Sequence, residues 1–356
     1  MTGLQPGDRI PDFSRPDATG KPRFFYDVHH GQSVALFVCG RAGDAAVQQA
    51  LAVLASPDQR WGQVTRVALV LGTAAELAAL DKASGDSLLV VADDGALIKH
   101  LLGAVPAVMT ALTLDDNLRI LERIDLEGAV DEFEHRVTRA YSERPVPQPR
   151  LFQGLAPVLF IPRVMDAAFC DALIAHFEET GGTPSGTAYV EGDKALWKPD
   201  PSVKMRRDVY LEGGPWLDKV RDALVRRVLP EIQRCFNFQV SQHEVFKLIR
   251  YDAGAGYFHA HRDNESRDTA HRRFAMTLNL NTGAYEGGAL RFPEFGPDLY
   301  VPERGAAAIF SCSLLHEVTP VTHGSRYGLL GFFFGEDQHI ADIKTEAAGK
   351  KPGNTA

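Results

Sequence analysis

The sequence predicts two domains of different class, an α/β layer structure followed by a β-rich domain with helical support. Three observations carry that reading. The chain has 356 residues, which at roughly 150 residues per domain means two. Apolar strand-like runs alternate with helical spacing only in the first part, where such alternation means parallel strands with crossover helices. The two parts are separated by SERPVPQPRLFQGLAP, Ser142 to Pro157, with four prolines in sixteen residues. Proline fixes φ and restricts the residue before it, so this stretch reads as a stiff, extended connector. The boundaries are therefore 1–142, a linker 143–157, a second domain 158–336, and a polar tail 337–356 ending KKPGNTA.

In the first domain Ser33–Gly40 (SVALFVCG) is an apolar run of strand length, and Asp44–Ala55 has helical apolar spacing. Val64–Gly72 is a strand, and Thr73–Ala83 a helix with Thr73 as its cap. Leu88–Ala92, Val108–Leu114 and Arg119–Ile124 follow as strands, with the turn Asp115-Asp116-Asn117 between the last two, and a helix from Gly128 to Tyr141 closes the domain. In the second domain Asp166–Thr180 and Pro215–Phe236 read as amphipathic helices. From Gln242 onward short strands dominate: Glu244–Tyr251, Arg273–Asn281, Ala289–Phe292, Ala306–Ser311, Val318–Thr322 and Tyr327–Phe334. Gly and Pro punctuate them, as in an antiparallel barrel or sandwich.

Composition narrows the class of function. Hydrophobic residues make up 45% and charged residues 24%, so each half can bury a core. The net charge of -8 is spread along the chain without basic blocks, which argues against a nucleic-acid partner. Cys39, Cys170, Cys235 and Cys312 show neither CxxC nor zinc-type spacing, as expected of a reducing compartment. The start, MTGLQPGDRIPDF, is unlike a signal peptide, and no apolar stretch approaches the ~20 residues that span a bilayer. The expectation is a cytoplasmic protein without a membrane partner.

The candidate chemistry lies in Tyr251–Asp263, YDAGAGYFHAHRD. Residues two apart on an extended strand share a face, so His261 and Asp263 point together and Arg262 away. An imidazole and a carboxylate side by side are two-thirds of the facial triad of non-haem iron(II) oxygenases. The third ligand is expected from a facing strand, and His316 in SLLHEVTPVTHGSRYG stands after one apolar strand and before the next. Such a centre leaves positions open for 2-oxoglutarate and dioxygen. Arg326, ten residues after His316, offers a guanidinium fork for the outer carboxylate of that cosubstrate. A lone His-x-Asp is mostly structural, and His259, His271 and His323 read as solvated loop residues; the joint pattern is the specific signal.

Taken together these residues resemble the prolyl 4-hydroxylase-like group of 2-oxoglutarate oxygenases, over about Val158 to Gly335. The matching elements, in order, are Tyr251, Gly254, Gly256, Tyr257, His261-x-Asp263, Leu280-Asn281, Glu286-Gly287-Gly288, Leu290-Arg291-Phe292-Pro293, Val301-Pro302, Gly305, and His316-Glu317-Val318-x-Pro320-Val321-x-x-Gly324-x-Arg326-Tyr327. The resemblance implies a double-stranded β-helix (jelly-roll) in which His261, Asp263 and His316 hold Fe(II), Arg326 clamps 2-oxoglutarate and Tyr251 hydrogen-bonds it. Where some relatives carry a tyrosine near that carboxylate this chain has Asn279, which shares a face with Thr277 and Asn281 as a cofactor-binding candidate or as a solvent-facing asparagine. Tyr257 is read as a packing residue.

The implied reaction converts 2-oxoglutarate and dioxygen to succinate and carbon dioxide and hydroxylates a C–H bond, with L-ascorbate as a supporting reductant. Retention of Asp263 points to hydroxylation, because related halogenases replace that carboxylate with a small residue. A prolyl or other protein side chain is favoured as substrate over a small molecule. Gly182–Asp208, with Trp197, reads as a lid or a surface excursion, and Arg262–Arg273 as a binding loop or a solvated turn.

The first domain, in Leu4-Gln5-Pro6-Gly7-Asp8-x-x-Pro11-Asp12-Phe13, Gly20-Lys21 and Val34–Val38, resembles a peroxiredoxin-type thioredoxin-fold domain over residues 4–141. Val105-Pro106-Ala107 stands where that fold carries a cis-proline. A peroxidase needs a low-pKa thiolate at a helix start. Here Val47 occupies the thiol position and Asp44 that of the threonine, while Cys39 lies earlier, at a strand end. The expected role is docking or structural, with a thiol peroxidase or redox sensor through Cys39, or a non-catalytic interaction protein, as competing readings.

Overall fold

The computed structural model describes residues 3–16, 22–56, 61–73, 76–77, 88–144, 151, 154–191 and 194–336. The chain divides into two compact units, Met1–Pro149 and Arg150–Ala356. Most of the expected linker, the tail 337–356 and most of the Thr73–Ala83 helix lie outside the described residues. What is described at Thr73 is a cap: its hydroxyl and backbone N–H both donate to the Glu76 carboxylate.

The first unit is built on one mixed sheet, in the order Leu89–Asp93, Thr65–Leu71, Val34–Arg41, Met109–Leu114, Ile120–Asp125. The first three strands are parallel and the last two join antiparallel. Val34–Cys39 is wholly buried because the strand is covered on both faces, which is why it reads as a continuous apolar run. Alternation divides it. Ala35, Phe37 and Cys39 pack with the helices Ala45–Leu54 and Val130–Ser142, while Val34, Leu36 and Val38 pack with Ala96–Leu102. That last helix was not anticipated, since seven residues give little periodic signal; Asp93 starts it by accepting from the Gly95 and Ile98 N–H groups. The cis-proline expectation is corrected: among the described residues no peptide bond is cis. Pro106 keeps the ordinary trans form, and the strand passes closely because residue 40 is glycine; a Cβ there would meet the Pro106 and Ala107 carbonyl oxygens at 2.9 and 2.8 Å.

The second unit carries two antiparallel sheets. The larger runs Leu159–Ile161, Ala307–Ser311, Phe274–Asn279, Ser325–Phe334, Phe246–Asp252, Arg207–Leu211, Thr183–Pro184. The smaller runs Lys204–Met205, Tyr257–His261, His316–Val318, Leu290–Arg291, Leu299–Tyr300. One face of the large sheet packs on Ala167–Thr180, Gly214–Arg227 and Leu229–Phe236 through Leu248, Met276, Leu278 and Leu329. Its other face, with Ile249, Tyr251, Ala275 and Phe332, meets Leu290 and Val318 of the small sheet.

Three expectations are corrected here. Pro215–Phe236 is two helices broken at Val228, because Pro230 has no N–H to continue the ladder. Gly182–Asp208 is not a loop: Gly186–Glu191 and Lys194–Pro199 form a hairpin, and short strands flank it. The side chain of Trp197 lies outside the described portion. Arg262–Arg273 is not a solvated turn, since Thr269, His271 and Arg272 are buried.

Candidate active site

The two histidines come from the small sheet. Tyr257–His261 pairs antiparallel with His316–Val318, and His261 and His316 are direct register partners. A strand irregularity between Phe258 and His261 precedes that pairing, and the ring centroids lie 4.3 Å apart. Asp263 sits just past the strand end, where its N–H donates to the Cys312 carbonyl at 3.0 Å. Arg272 donates to the Asp263 carbonyl at 3.0 Å and grips Glu244 with two further bonds of 2.7 and 2.8 Å. His271 meets the same Glu244 carboxylate at 3.0 Å. This buried network fixes the turn that aims Asp263.

Both imidazoles are oriented for ligation. The Nδ1 of His261 is 2.8 Å from the His259 carbonyl and that of His316 is 3.0 Å from the Leu314 carbonyl. Each Nδ1 must therefore carry the proton, which leaves Nε2 with its lone pair. Both Nε2 atoms stand 3.4 Å from the Asp263 carboxylate. One ligand atom from each of the three residues falls within 4.8 Å of the others. Burial pushes His316 below the usual histidine range and so keeps it neutral. Burial opposes charge on Asp263, yet His316 and His261 in their protonated forms, with Arg272, outweigh it and hold the carboxyl well below the usual range. Two nitrogen donors and one ionised oxygen donor on one side of a point fit an iron(II) ion with open positions opposite.

The guanidinium comes from the large sheet. Arg326 opens Ser325–Phe334 opposite Tyr251, and only 1% of it is exposed. One terminal nitrogen donates to Thr277 Oγ1 at 3.1 Å and Asn279 Oδ1 at 2.9 Å. Its Nε and Nη1 are buried with no hydrogen-bond partner among the described residues. An arginine held by one corner, with two donors left over in a cavity, is shaped for a carboxylate that protein does not supply. Glycine at 288 makes its passage possible: φ is +61°, and a Cβ there would come within 3.1 Å of the Arg326 Cδ. Arg326, Tyr251, Thr277, His261, Asp263 and His316 all line one cavity of about 270 Å³.

The structure thus brings together His261, Asp263, His316, Tyr251 and Arg326. Asn279 lies behind Arg326 and is spent on protein, its amide nitrogen donating to Thr282, Tyr285 and the Pro302 carbonyl. Thr277, two residues earlier on the same face, is the one that reaches the cavity. Asn281 serves the backbone of Ser325 and Tyr327. Tyr257 is bonded to the Pro201 carbonyl, and His259 and His323 are exposed.

Sequence reasoning missed Lys204, Arg206, Lys247 and Arg272, which line the same cavity. Arg206 is bound to Asp208 by bonds of 2.7 and 3.0 Å and reaches the Tyr251 hydroxyl at 3.4 Å. A signal for Lys247 was present, because residues 247, 249 and 251 share a strand face with Tyr251.

Fold and site together give the carboxy-terminal unit a two-histidine, one-carboxylate cluster that could hold a metal ion and a buried arginine lining the same cavity. Residues 246–334 match the family model of the 2OG-Fe(II) oxygenase superfamily, a match that supports a 2-oxoglutarate-dependent dioxygenase. Among solved structures, a viral collagen prolyl hydroxylase from Paramecium bursaria Chlorella virus-1 in complex with 2OG is similar at 19% identity, over 49% of this chain and 94% of its own, with a TM-score of 0.37. A prolyl-4-hydroxylase from Pseudomonas putida is similar at 18% identity, over 50% of this chain and 92% of its own, TM-score 0.38. The peroxidoxin BcpB from Mycobacterium tuberculosis is similar at 19% identity, over 40% of this chain and 99% of its own, TM-score 0.35. Comparison with curated proteins finds no match. Among the described residues no helix is long and apolar enough to cross a membrane.

The thiol alternative fails on burial. Cys39 has no exposed surface, and burial pushes its thiol far above the ordinary value, the opposite of an activated cysteine. Val47, at the expected thiol position, is fully buried in the first turn of Ala45–Leu54, with Asp44 as the N-cap residue.

Proposed function

We propose that the carboxy-terminal unit hydroxylates a C–H bond of a protein side chain, prolyl or another, with His261, Asp263 and His316 as the iron ligands. The reading rests on one observation: a two-histidine, one-carboxylate cluster and a buried arginine with unused donors face the same cavity. Iron(II) and 2-oxoglutarate, when bound, supply the oxidation that puts one oxygen atom of O2 into the C–H bond and yields succinate and carbon dioxide. Arg326 binds the outer carboxylate, and the aromatic wall of Tyr251 and the Thr277 hydroxyl orient the cosubstrate. Asn279 contributes through Arg326, by holding the guanidinium in register. Phe258, stacked on His261 at 3.5 Å, and Phe310, at 4.7 Å from His316, keep water from the ligand set.

L-ascorbate is proposed as the reductant that restores iron(II). The two antiparallel sheets are read as a double-stranded β-helix, and the first unit as a thioredoxin-like domain without thiol chemistry that docks or stabilises. The test is succinate release by purified protein given Fe(II), 2-oxoglutarate and ascorbate, alongside calorimetric titration of 2-oxoglutarate. Turnover is expected in the wild type and none in His261→Ala; normal turnover in that variant would remove the assignment.

A further inference from the structure

After iron and cosubstrate are accounted for, the cavity retains two lysines with no ion-pair partner among the described residues. Iron(II), Asp263, Arg326 and the two carboxylates of 2-oxoglutarate sum to no net charge. Arg206 is paired with Asp208, Arg272 with Glu244, and Arg262 with Glu265 and Glu294. Lys204 and Lys247 remain. Both line the cavity and both are more than nine-tenths buried. Among the described residues neither side chain makes a hydrogen bond or a close ion pair; Lys204 Nζ lies 5.0 Å from the Phe258 ring and Lys247 Nζ 5.3 Å from that of Tyr210, with Asp208 acting on both at longer range. Phe258 is the ring stacked on His261, so Lys204 stands beside the metal centre.

Two buried lysines in one cavity are costly to keep charged. Burial first, and then the charges of Arg206, Lys247 and Arg272, lower Lys204 to about 6 despite the opposing pull of Asp208. Lys247 falls to about 8, again chiefly by burial, with Arg272 and Arg206 lowering it and Asp208 and Glu244 opposing. An anion entering the cavity relieves both. A neutral substrate group leaves both desolvated and unpaired, which is selection against it.

We infer that Lys204 and Lys247 form the substrate subsite and that the substrate presents a carboxylate to them beside the C–H bond that is hydroxylated. A prolyl ring alone gives these ammoniums nothing; a carboxylate on the hydroxylated residue, on its neighbour, or on a small acid does. This rests on the hydroxylase reading, and the test separates the two. Protein holding Fe(II) and 2-oxoglutarate under argon is titrated calorimetrically with matched pairs: acetyl-Gly-Asp-Gly-amide against acetyl-Gly-Asn-Gly-amide, and butyrate against butyramide. The carboxylate member of at least one pair is expected to bind tenfold or more tightly than its amide. The peptide pair discriminating identifies a polypeptide substrate, and only the butyrate pair discriminating identifies a small acid.

Lys247→Met and Lys204→Met should lose the carboxylate probe by at least ten times more than they lose 2-oxoglutarate, and Arg326→Met should show the reverse ordering. Equal binding of acid and amide in the wild type overturns the inference without needing any variant to fold. Parallel loss of probe and 2-oxoglutarate in the lysine variants overturns it as well. Undiminished 2-oxoglutarate binding in Arg326→Met sinks the cosubstrate clamp instead and leaves the lysine result to stand by itself.

Discussion

Three buried acids of the first unit and three buried bases of the second are used in opposite ways. In the first, Asp93 is consumed by the start of Ala96–Leu102, Glu134 accepts from the Trp61 indole at 2.7 Å, and Asp115 holds the Asn117 and Arg119 N–H groups. These groups stabilise the fold and offer nothing outward. In the second unit Arg326 keeps two donors in reserve beside a cavity that Lys204 and Lys247 also line. The difference teaches where to look for function. A buried polar group whose bonding capacity is met inside the protein is architecture; one left unmet beside a cavity waits for a ligand.

Several changes would break or sharpen that contrast. The largest effect belongs to His261→Ala, which should abolish iron binding and succinate release, read by metal content after gel filtration and by turnover. Next, Arg326→Met removes the one cavity-lining guanidinium that keeps unmet donors among the described residues. Truncating one half of such a charge pair costs about 2–5 kcal/mol, so 2-oxoglutarate affinity should fall roughly thirtyfold or more by calorimetry.

A pH series comes third. Lys204 and Lys247 have folded values of about 6 and about 8, below the ordinary lysine range, and anion binding favours their charged forms. Affinity for a carboxylate probe should therefore be greatest near pH 6, fall by up to about tenfold per unit between 6 and 8 as Lys204 loses its proton, and fall more steeply above 8 as Lys247 follows. A flat profile from pH 6 to about 9 would argue that the two lysines play no part in recognition. Asn279→Ala should act more weakly and through Arg326. Loss of a buried hydrogen bond costs about 1–3 kcal/mol, and the expected outcome is a raised KM for 2-oxoglutarate with kcat little changed. The smallest effect is in the other unit: Cys39→Ala should leave any peroxide consumption as it was, measured by hydrogen peroxide loss, because that thiol meets neither solvent nor a base.

Much of this was legible in the residues. The strand at Val34–Arg41 and the helix capped at Asp166, whose carboxylate accepts from Phe169 at 2.7 Å, follow from apolar period and cap chemistry. The triad was legible because its spacing is short or lies in conspicuous strand ends. Lys204 and Arg206 were hidden in a Gly- and Pro-rich stretch whose composition spoke of loop, although it forms strands; pairing partners far along the chain override weak local propensity there. His271 and Arg272 looked solvated because polarity is a poor guide to burial when a partner such as Glu244 is remote in sequence.

By itself the sequence determined what is local: strand and helix periods, the proline-rich boundary, and which residue types could hold a metal. Tertiary structure alone decided which charges are answered. Whether Arg272 finds Glu244, remote from it in sequence, depends on strands and turns that meet across the fold. Charge pairing falls off within a few ångströms and carries no mark in sequence order.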